Sequence, residues 1–203
     1  MDIDDVKALY YITAIDNMGS ICERGILSYH MAKKIPHESI AMDEIQEKRI
    51  KVMVPVADRK GISLHNFAPL YFDSWNPMLS KLRQINEKIC IIALRKEILN
   101  LPGAIIADRN ASSKYCKFGP SSDGLKNIEK EDVFRQNWKD QDEIIEWEKR
   151  SKKCAELLVP GRISSEYFLG AVVVSDDAET RLRQQIGNRL KKFKIIIDRS
   201  RFF

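Results

Sequence analysis

Glu156 is the residue of this chain whose surroundings contrast most sharply with its chemistry. It sits second in the apolar run Ala155-Glu156-Leu157-Leu158-Val159, where a carboxylate must be paired, face a cleft or point to water. Strand alternation puts Glu156 and Leu158 on one face and Leu157 and Val159 on the other. Two readings stand: an edge-strand glutamate in water, or a carboxylate that offsets developing positive charge or removes a proton. Arg49, in Ile45-Gln46-Glu47-Lys48-Arg49, is either an exposed helix arginine or a group for phosphate or pyrophosphate. The segment from Leu64 to Leu79 gathers His65, Phe67, Tyr71, Phe72 and Trp75 around Pro69 and Pro77. Each proline lacks an N–H and fixes φ, so an ordered loop or short edge strands are expected rather than a helix or a central strand. Aromatics so held line a ligand pocket or form a proline-broken piece of core. His65 reads as a pocket or loop-packing residue rather than a catalyst, since one histidine makes no Ser/His/Asp arrangement.

Other chemistries find little support. Cys22, Cys90, Cys116 and Cys154 are far apart, and His30, His37 and His65 supply no partner pair. No zinc site is expected, only free and mostly buried thiols. There is no P-loop and no GxGxxG turn. The net charge is +5 with 34 basic residues, a mild bias toward an acidic partner. Its basic residues cluster at Lys149–Lys153 and in the C-terminal RLKKFKIIIDRSR, either solvated faces or nucleic-acid contacts.

These residues need elements to position them. Strands are expected at Ala8–Ala14, Lys88–Arg95, Ala104–Ala107, Ala155–Val159, Gly170–Ser175 and Phe193–Asp198, with an edge strand at Val52–Val56 confined by Pro55. Helices are expected from about Asn17 to Arg24, Met42 to Lys51, Asp140 to Lys153 and Asp177 to Lys191. Asp16 or Asn17 would cap the first, and Gly25 would stop it. Ile144, Ile145 and Trp147 give the third a partly apolar side. The polar stretch from Asp108 to about Val133, with turns at Gly119-Pro120 and Asp123-Gly124, is long for a connection and reads as a functional loop. Strands dominate and βαβ units are few, so the class is α+β. At 203 residues with 44% hydrophobic and 31% charged residues, a single domain with a substantial core is expected. No apolar run of about 18 residues is present, and the acidic N-terminus lacks a signal-peptide order, so a cytoplasmic protein is expected.

Four segments, in order, resemble one family: YYITAIDNMGSICERGIL (Tyr10 to Leu27), IQEKR (Ile45 to Arg49), LHNFAPLYF…NPML (Leu64 to Leu79) and AELLVP (Ala155 to Pro160). They are similar to the DarT family, DNA ADP-ribosyltransferase toxins of bacterial toxin–antitoxin systems. The resemblance implies an ADP-ribosyltransferase-like split β-sheet core with peripheral helices, spanning residues 1–203 as one domain, with NAD as substrate in the cleft. Glu156 then matches the catalytic glutamate and Arg49 the active-site arginine. Tyr71 and Met78 fall on the nicotinamide side, with Tyr11, Thr13, Asn17 and His65 as further cofactor-binding positions. The region of about 108–153 becomes the substrate-binding loop, and Arg150, Lys152 and Lys153 are placed to meet DNA.

Cleaving the nicotinamide–ribose bond creates an oxocarbenium-like centre, in kind like glycoside hydrolysis. Glu156 would hold a ribose hydroxyl, offset that charge and take the proton of the attacking base nitrogen, with no metal. Single-stranded DNA suits the chemistry because a duplex hides the base edge. The implied partner is a macrodomain antitoxin; the family includes members acting on thymine and on guanine. Where relatives often carry a first-strand histidine, this chain has Tyr11 and Ala14, and Thr13 offers a hydroxyl instead. The rival readings are an RNA or protein acceptor, and a non-catalytic nucleic-acid-binding module.

Overall fold

The computed structural model describes residues 1–56, 59–190 and 193–203. Its strands are β1 (Leu9–Ala14), β2 (Ile26–Leu27), β3 (Met53–Val56), β4 (Arg59–Ser63), β5 (Phe67–Tyr71), β6 (Ile89–Leu94), β7 (Ile105–Ala107), β8 (Phe118–Pro120), β9 (Glu156–Pro160), β10 (Arg162–Ile163), β11 (Phe168–Val173) and β12 (Lys194–Ile197). The helices are α1 (Met18–Arg24), α2 (Tyr29–Ala32), α3 (Asp43–Arg49), α4 (Pro77–Lys81), α5 (Ser121–Gly124), α6 (Lys130–Phe134), α7 (Glu143–Lys153) and α8 (Asp176–Ile186). This mixture is the expected α+β class.

Eight strands form the main sheet in the order β12-β11-β6-β1-β5-β9-β7-β8. The sheet divides at its middle. β1 runs antiparallel to β6 over all six residues, but meets β5 at one register pair, Tyr10 opposite Tyr71. Two four-stranded halves therefore diverge from a single join. β6 (ICIIAL) lies between β1 and β11 and is apolar at every position, as a strand covered on both faces should be. Each such fully buried side chain contributes about 1.5–3 kcal/mol.

The divergence corrects the expectation for Leu64–Leu79. β5 is a central strand, flanked by β1 and β9, although it contains Pro69. Proline is excluded from a sheet interior because it cannot donate to a neighbour. Here Pro69 lies opposite Leu158 on β9, and on its β1 side the neighbour has already turned away. No donor is needed there. The rest of the segment is a short turn of 3-10 helix at Leu64–Asn66 and the helix α4, whose N-cap Asn76 accepts a hydrogen bond from the Leu79 N–H with Pro77 in the first turn.

Gly25 ends α1 as expected, at φ 80°, and a Cβ there would lie 2.1 Å from the Ile163 carbonyl oxygen. The expected cap is absent: Asn17 makes no capping bond. α7 starts later than expected, at Glu143, because the Asp142 carboxylate accepts from the Ile144 and Ile145 N–H groups. α8 is capped by Ser175 and stops at Ile186, where Gly187 takes φ 54°; the expected end at Lys191 lies outside the described residues. The polar stretch after Asp108 is more ordered than expected. Gly119-Pro120 belongs to edge strand β8, and Asp123-Gly124 to the short helix α5. The apolar side of α7 does not reach the core, since Ile144, Ile145 and Trp147 are all exposed.

Candidate active site

Where the two half-sheets part, a cavity of about 340 Å³ opens, walled by Tyr11 and Thr13 of β1 and by Pro69 and Tyr71 of β5. A strap joining α2 to α3 crosses it and contributes the consecutive residues His37–Met42 to the lining. Among the described residues no helix is long and apolar enough to cross a membrane.

Glu156 is not an edge residue in water. β9 lies between β5 and β7, with Tyr71 and Ala107 in register on either side of Glu156, which is 1% exposed. The alternation holds: Leu158 packs with Val54, Leu64 and Phe67, while Leu157 and Val159 enter the main core. The Glu156 carboxylate accepts from both terminal nitrogens of Arg49, at 3.0 and 2.9 Å, and from the Ala111 N–H at 3.0 Å. Such a bidentate, charge-assisted pair fixes both groups in plane. Arg49, the last residue of α3, is buried. Burial opposes its charge, but Glu156 outweighs burial and holds its pKa above the ordinary value.

Tyr71 stands opposite both Glu156 and Tyr10 and lines the cavity. Burial, with the Glu156 charge beside it, raises its hydroxyl well above the usual range, so the ring presents an aromatic surface and a neutral O–H. Met78 of α4 and Arg150 of α7 also line the cavity. His65 is buried with both ring nitrogens lacking a partner. Its ring lies 4.1 Å from that of Tyr29 and meets His30 edge-on at 5.6 Å. Burial, then the nearby Arg49 charge, lowers its pKa to about 4, so it is neutral near pH 7. Two thiols near Glu156, Cys116 and Cys154, are pushed up to about 12 by burial and by carboxylates, Asp108 and Glu156 for the first and Glu156 for the second. Neither supplies a thiolate nucleophile. All four cysteines are free, and among the described residues no three His, Cys, Asp or Glu groups gather as a metal site.

The three expected DNA-contacting residues separate. Arg150 faces the cavity and pairs with Glu146 at 3.7 Å. Lys152 pairs with Asp132 and Glu148. Lys153 is a correction: it is fully buried and donates to Asp73 and to the Val133 carbonyl. An ammonium so enclosed cannot meet a phosphate. One helix carries all three, and only the 3.6-residue period decides which face each takes.

Three features escaped the sequence reading. The Ala111 amide reaches Glu156 through a loop whose conformation no local pattern announces. The strap over the cavity is an irregular segment without a motif. The third is an exposed aromatic pair, Tyr115 (57% exposed) and Trp147 (48%), whose rings meet edge-on at 5.8 Å, with the Lys114 ammonium 5.2 Å over Tyr115. Trp147 precedes the cavity-lining Arg150 by about one helical turn on α7. A helix side of mixed Ile and Trp could have been read as surface from its dense flanking charge.

The pattern of the family described as "DarT: ssDNA thymidine ADP-ribosyltransferase, DarT" matches residues 10–203. A DNA ADP-ribosyl transferase-DNA ADP-ribosyl glycohydrolase fusion protein of Thermosipho africanus is 33% identical over 206 residues. That alignment takes in 97% of this chain and 50% of the relative, so the chain spans about half the length of the fusion. A DNA ADP-ribosyl transferase of Thermus sp. (strain 2.9) is 29% identical over 160 residues, covering 74% of this chain and 73% of that protein. Among solved structures, Thermosipho africanus DarTG in complex with ADP-ribose aligns at TM-score 0.82 and 31% identity, over 97% of this chain and 51% of that one. Thermus sp. 2.9 DarT in complex with ADP-ribosylated ssDNA shares the fold at TM-score 0.84 and 23% identity, over 98% and 97% of the two chains.

Proposed function

The chain belongs to the DarT family, and from that premise we propose that it transfers ADP-ribose from NAD to thymidine in single-stranded DNA. The Arg49–Glu156 pair carries the proposal: a carboxylate buried in the middle of a sheet, held flat by a guanidinium that lines the cleft. A carboxylate offers about four acceptor sites. Arg49 and the Ala111 N–H occupy three, which leaves one for an incoming O–H or N–H. The Arg49 guanidinium holds the carboxylate in plane, positioned to accept a proton and to offset positive charge.

NAD occupies the cleft with its nicotinamide against Tyr71. Support comes from the relatives: Thermosipho africanus DarTG was solved with ADP-ribose, and Thermus sp. 2.9 DarT with NAD+. The bond between ribose C1′ and the nicotinamide nitrogen breaks, and its electron pair leaves with neutral nicotinamide. The oxocarbenium-like C1′ is stabilised by Glu156, which first accepts a hydrogen bond from a ribose hydroxyl. A thymine ring nitrogen then bonds to C1′, and its proton passes to Glu156. Burial of the pair behind Tyr71 excludes water, which would otherwise take the ADP-ribose. No step needs a metal. Met78 packs beside the nicotinamide, and His65, Tyr11 and Thr13 line the remainder of the NAD site. His65, neutral, offers one donor and one acceptor.

DNA approaches along the mouth of the cleft, where Arg150 meets phosphate and Tyr115 and Trp147 stack unpaired bases. Lys152 adds positive charge beyond them. The chain acts in the cytoplasm as the toxin of a toxin–antitoxin pair, and a macrodomain partner removes the mark. The fusion of a DNA ADP-ribosyl glycohydrolase to the Thermosipho africanus relative supports that partner.

Labelled NAD incubated with single-stranded oligonucleotides tests the proposal. Label should enter strands containing thymidine and not matched strands lacking it, RNA or bystander protein, and Glu156→Ala should abolish transfer. Trp147→Ala should weaken use of the oligonucleotide by about tenfold, the loss expected for one stacked base, with the KM for NAD unchanged. Transfer undiminished in Glu156→Ala, or directed to RNA or protein, overturns the proposal.

A further inference from the structure

The family resemblance marks Asn17 as a residue that touches NAD, but its side chain is already engaged. Its amide nitrogen donates to the Glu38 carbonyl at 2.8 Å and to the Thr13 hydroxyl oxygen at 3.3 Å, and its amide oxygen accepts from the Glu38 N–H at 2.8 Å. Both amide hydrogens are used, and one of two oxygen lone pairs. The pairing with Glu38 is reciprocal and reproduces what two backbones do in a β-bridge. The Glu38 N–H can only donate and its carbonyl only accept, so this backbone fixes which way the amide faces.

The two ends of this contact differ in kind. Asn17 ends a turn of 3-10 helix, Ile15–Asn17, whose Ile15 is buried and whose Asp16 carboxylate accepts from the Arg181 guanidinium of α8 at 3.0 and 3.2 Å. Glu38 lies in the irregular strap between α2 and α3. From Pro36 to Ala41, the hydrogen bonds of described residues that leave the strap all end on Asn17; the others, His37 to Ile35 and Ala41 to Ser39, stay within it. The strap is also attached through Ile40, which packs against the apolar cluster that includes Leu79 and Leu82. A segment so lightly held is drawn from the low end of local stability, yet it contributes His37–Met42 to the cleft lining.

We propose that Asn17 is a positioning residue that latches the 33–42 strap over the NAD cleft, acting through Glu38's backbone and not through the ligand. NAD cannot enter beneath a latched strap, so the latch opens for entry and re-forms once the cofactor is seated. Asn17 then sets how tightly NAD is held and leaves the chemical step to Arg49 and Glu156. The inference rests on NAD being the occupant of the cleft, but the latch itself is testable without any ligand.

Hydrogen exchange of the unliganded wild type, Asn17→Ala, Asn17→Asp and Glu38→Ala is the first measurement. The Glu38 amide should be protected in wild type and in Glu38→Ala, which keeps the backbone partner. It should lose protection in Asn17→Ala. Asn17→Asp should be intermediate, because its carboxylate still accepts from the Glu38 N–H but repels the Glu38 carbonyl. In the transfer assay, Asn17→Ala should raise the KM for NAD about tenfold, the weight of roughly two exposed hydrogen bonds, with kcat at saturating NAD unchanged. Unaltered exchange across residues 36–41 in both Asn17 variants overturns the latch. So does a fall in kcat at constant KM, which would assign Asn17 to the reacting atoms. If wild type fails to turn over NAD, the proposed function is lost while the exchange pattern still decides on the latch.

Discussion

Lys153 closes α7 and Glu156 opens β9, three residues later, and each is held in a buried ion pair. The Lys153–Asp73 pair faces inward. Its ammonium has no exposed surface and also donates to the Val133 carbonyl, while Asp73 accepts from the Trp75 N–H. This pair ties the aromatic segment to α6 and α7 and lines no part of the cleft. In the Arg49–Glu156 pair, Arg49 lines the cleft and Glu156 is held directly behind it. Burial holds the Lys153 pKa below its usual value despite Asp73, whereas Glu156 holds that of Arg49 above. A buried charge is therefore no mark of a site by itself. Access to the cavity, which Arg49 lines and neither Lys153 nor Asp73 does, distinguishes the working pair from the fastening one.

The comparison can be broken from either side. The largest effect should come from Glu156→Gln, which removes the charge and the base but keeps shape and one oxygen acceptor. Turnover of the molecules that stay folded should fall by about 10²–10⁴, beside a loss of stability from leaving Arg49 buried without its anion. Lys153→Met should cost stability alone. Leaving Asp73 buried without its cation should cost about 3–5 kcal/mol of stability, read from denaturant unfolding, while the molecules that stay folded retain their turnover. Adding Asp73→Asn to Lys153→Met, which keeps an oxygen for the Trp75 N–H, should return most of the loss. If folded Lys153→Met loses turnover as Glu156→Gln does, the distinction between the pairs fails.

The smallest effect is a pH dependence beside the Arg49 pair. His65 titrates near 6.5 in the unfolded chain and near 4 in the folded one. The unfolded state therefore binds more protons between these values, and stability should decline as pH falls from about 6.5 to about 4. His65→Phe should flatten that part of an acid-unfolding curve. An unchanged slope would remove His65 from the titrating groups around the site.

The sequence disclosed Glu156 because a carboxylate among Leu and Val contradicts its surroundings, and no folding was needed to see the conflict. It disclosed β6 and the Gly25 stop for the same reason, each being a local rule. Lys153 was read as solvated because it sits in a basic run; its burial depends on Asp73, 80 residues away. Pro69 was read as excluding a central strand. That rule assumes a neighbour on both sides, and only the divergence of β1 removes one of them. Asn17 was expected to cap a helix or touch a cofactor; it makes no capping bond, lines the cleft, and also holds a backbone 21 residues on.

One pairing, Tyr10 with Tyr71, joins the two half-sheets. The cleft is thus a caliper with one joint. From Tyr71 to Phe67 the jaw extends four residues, roughly 13 Å at the usual rise per residue, so a tilt of about 5° at the joint displaces its tip by about 1 Å. A displacement of that size is enough to cost an enzyme two orders of magnitude in rate. Substitutions that reshape the Tyr10–Tyr71 contact should accordingly alter the fit most at the far jaw, among residues that never touch either tyrosine.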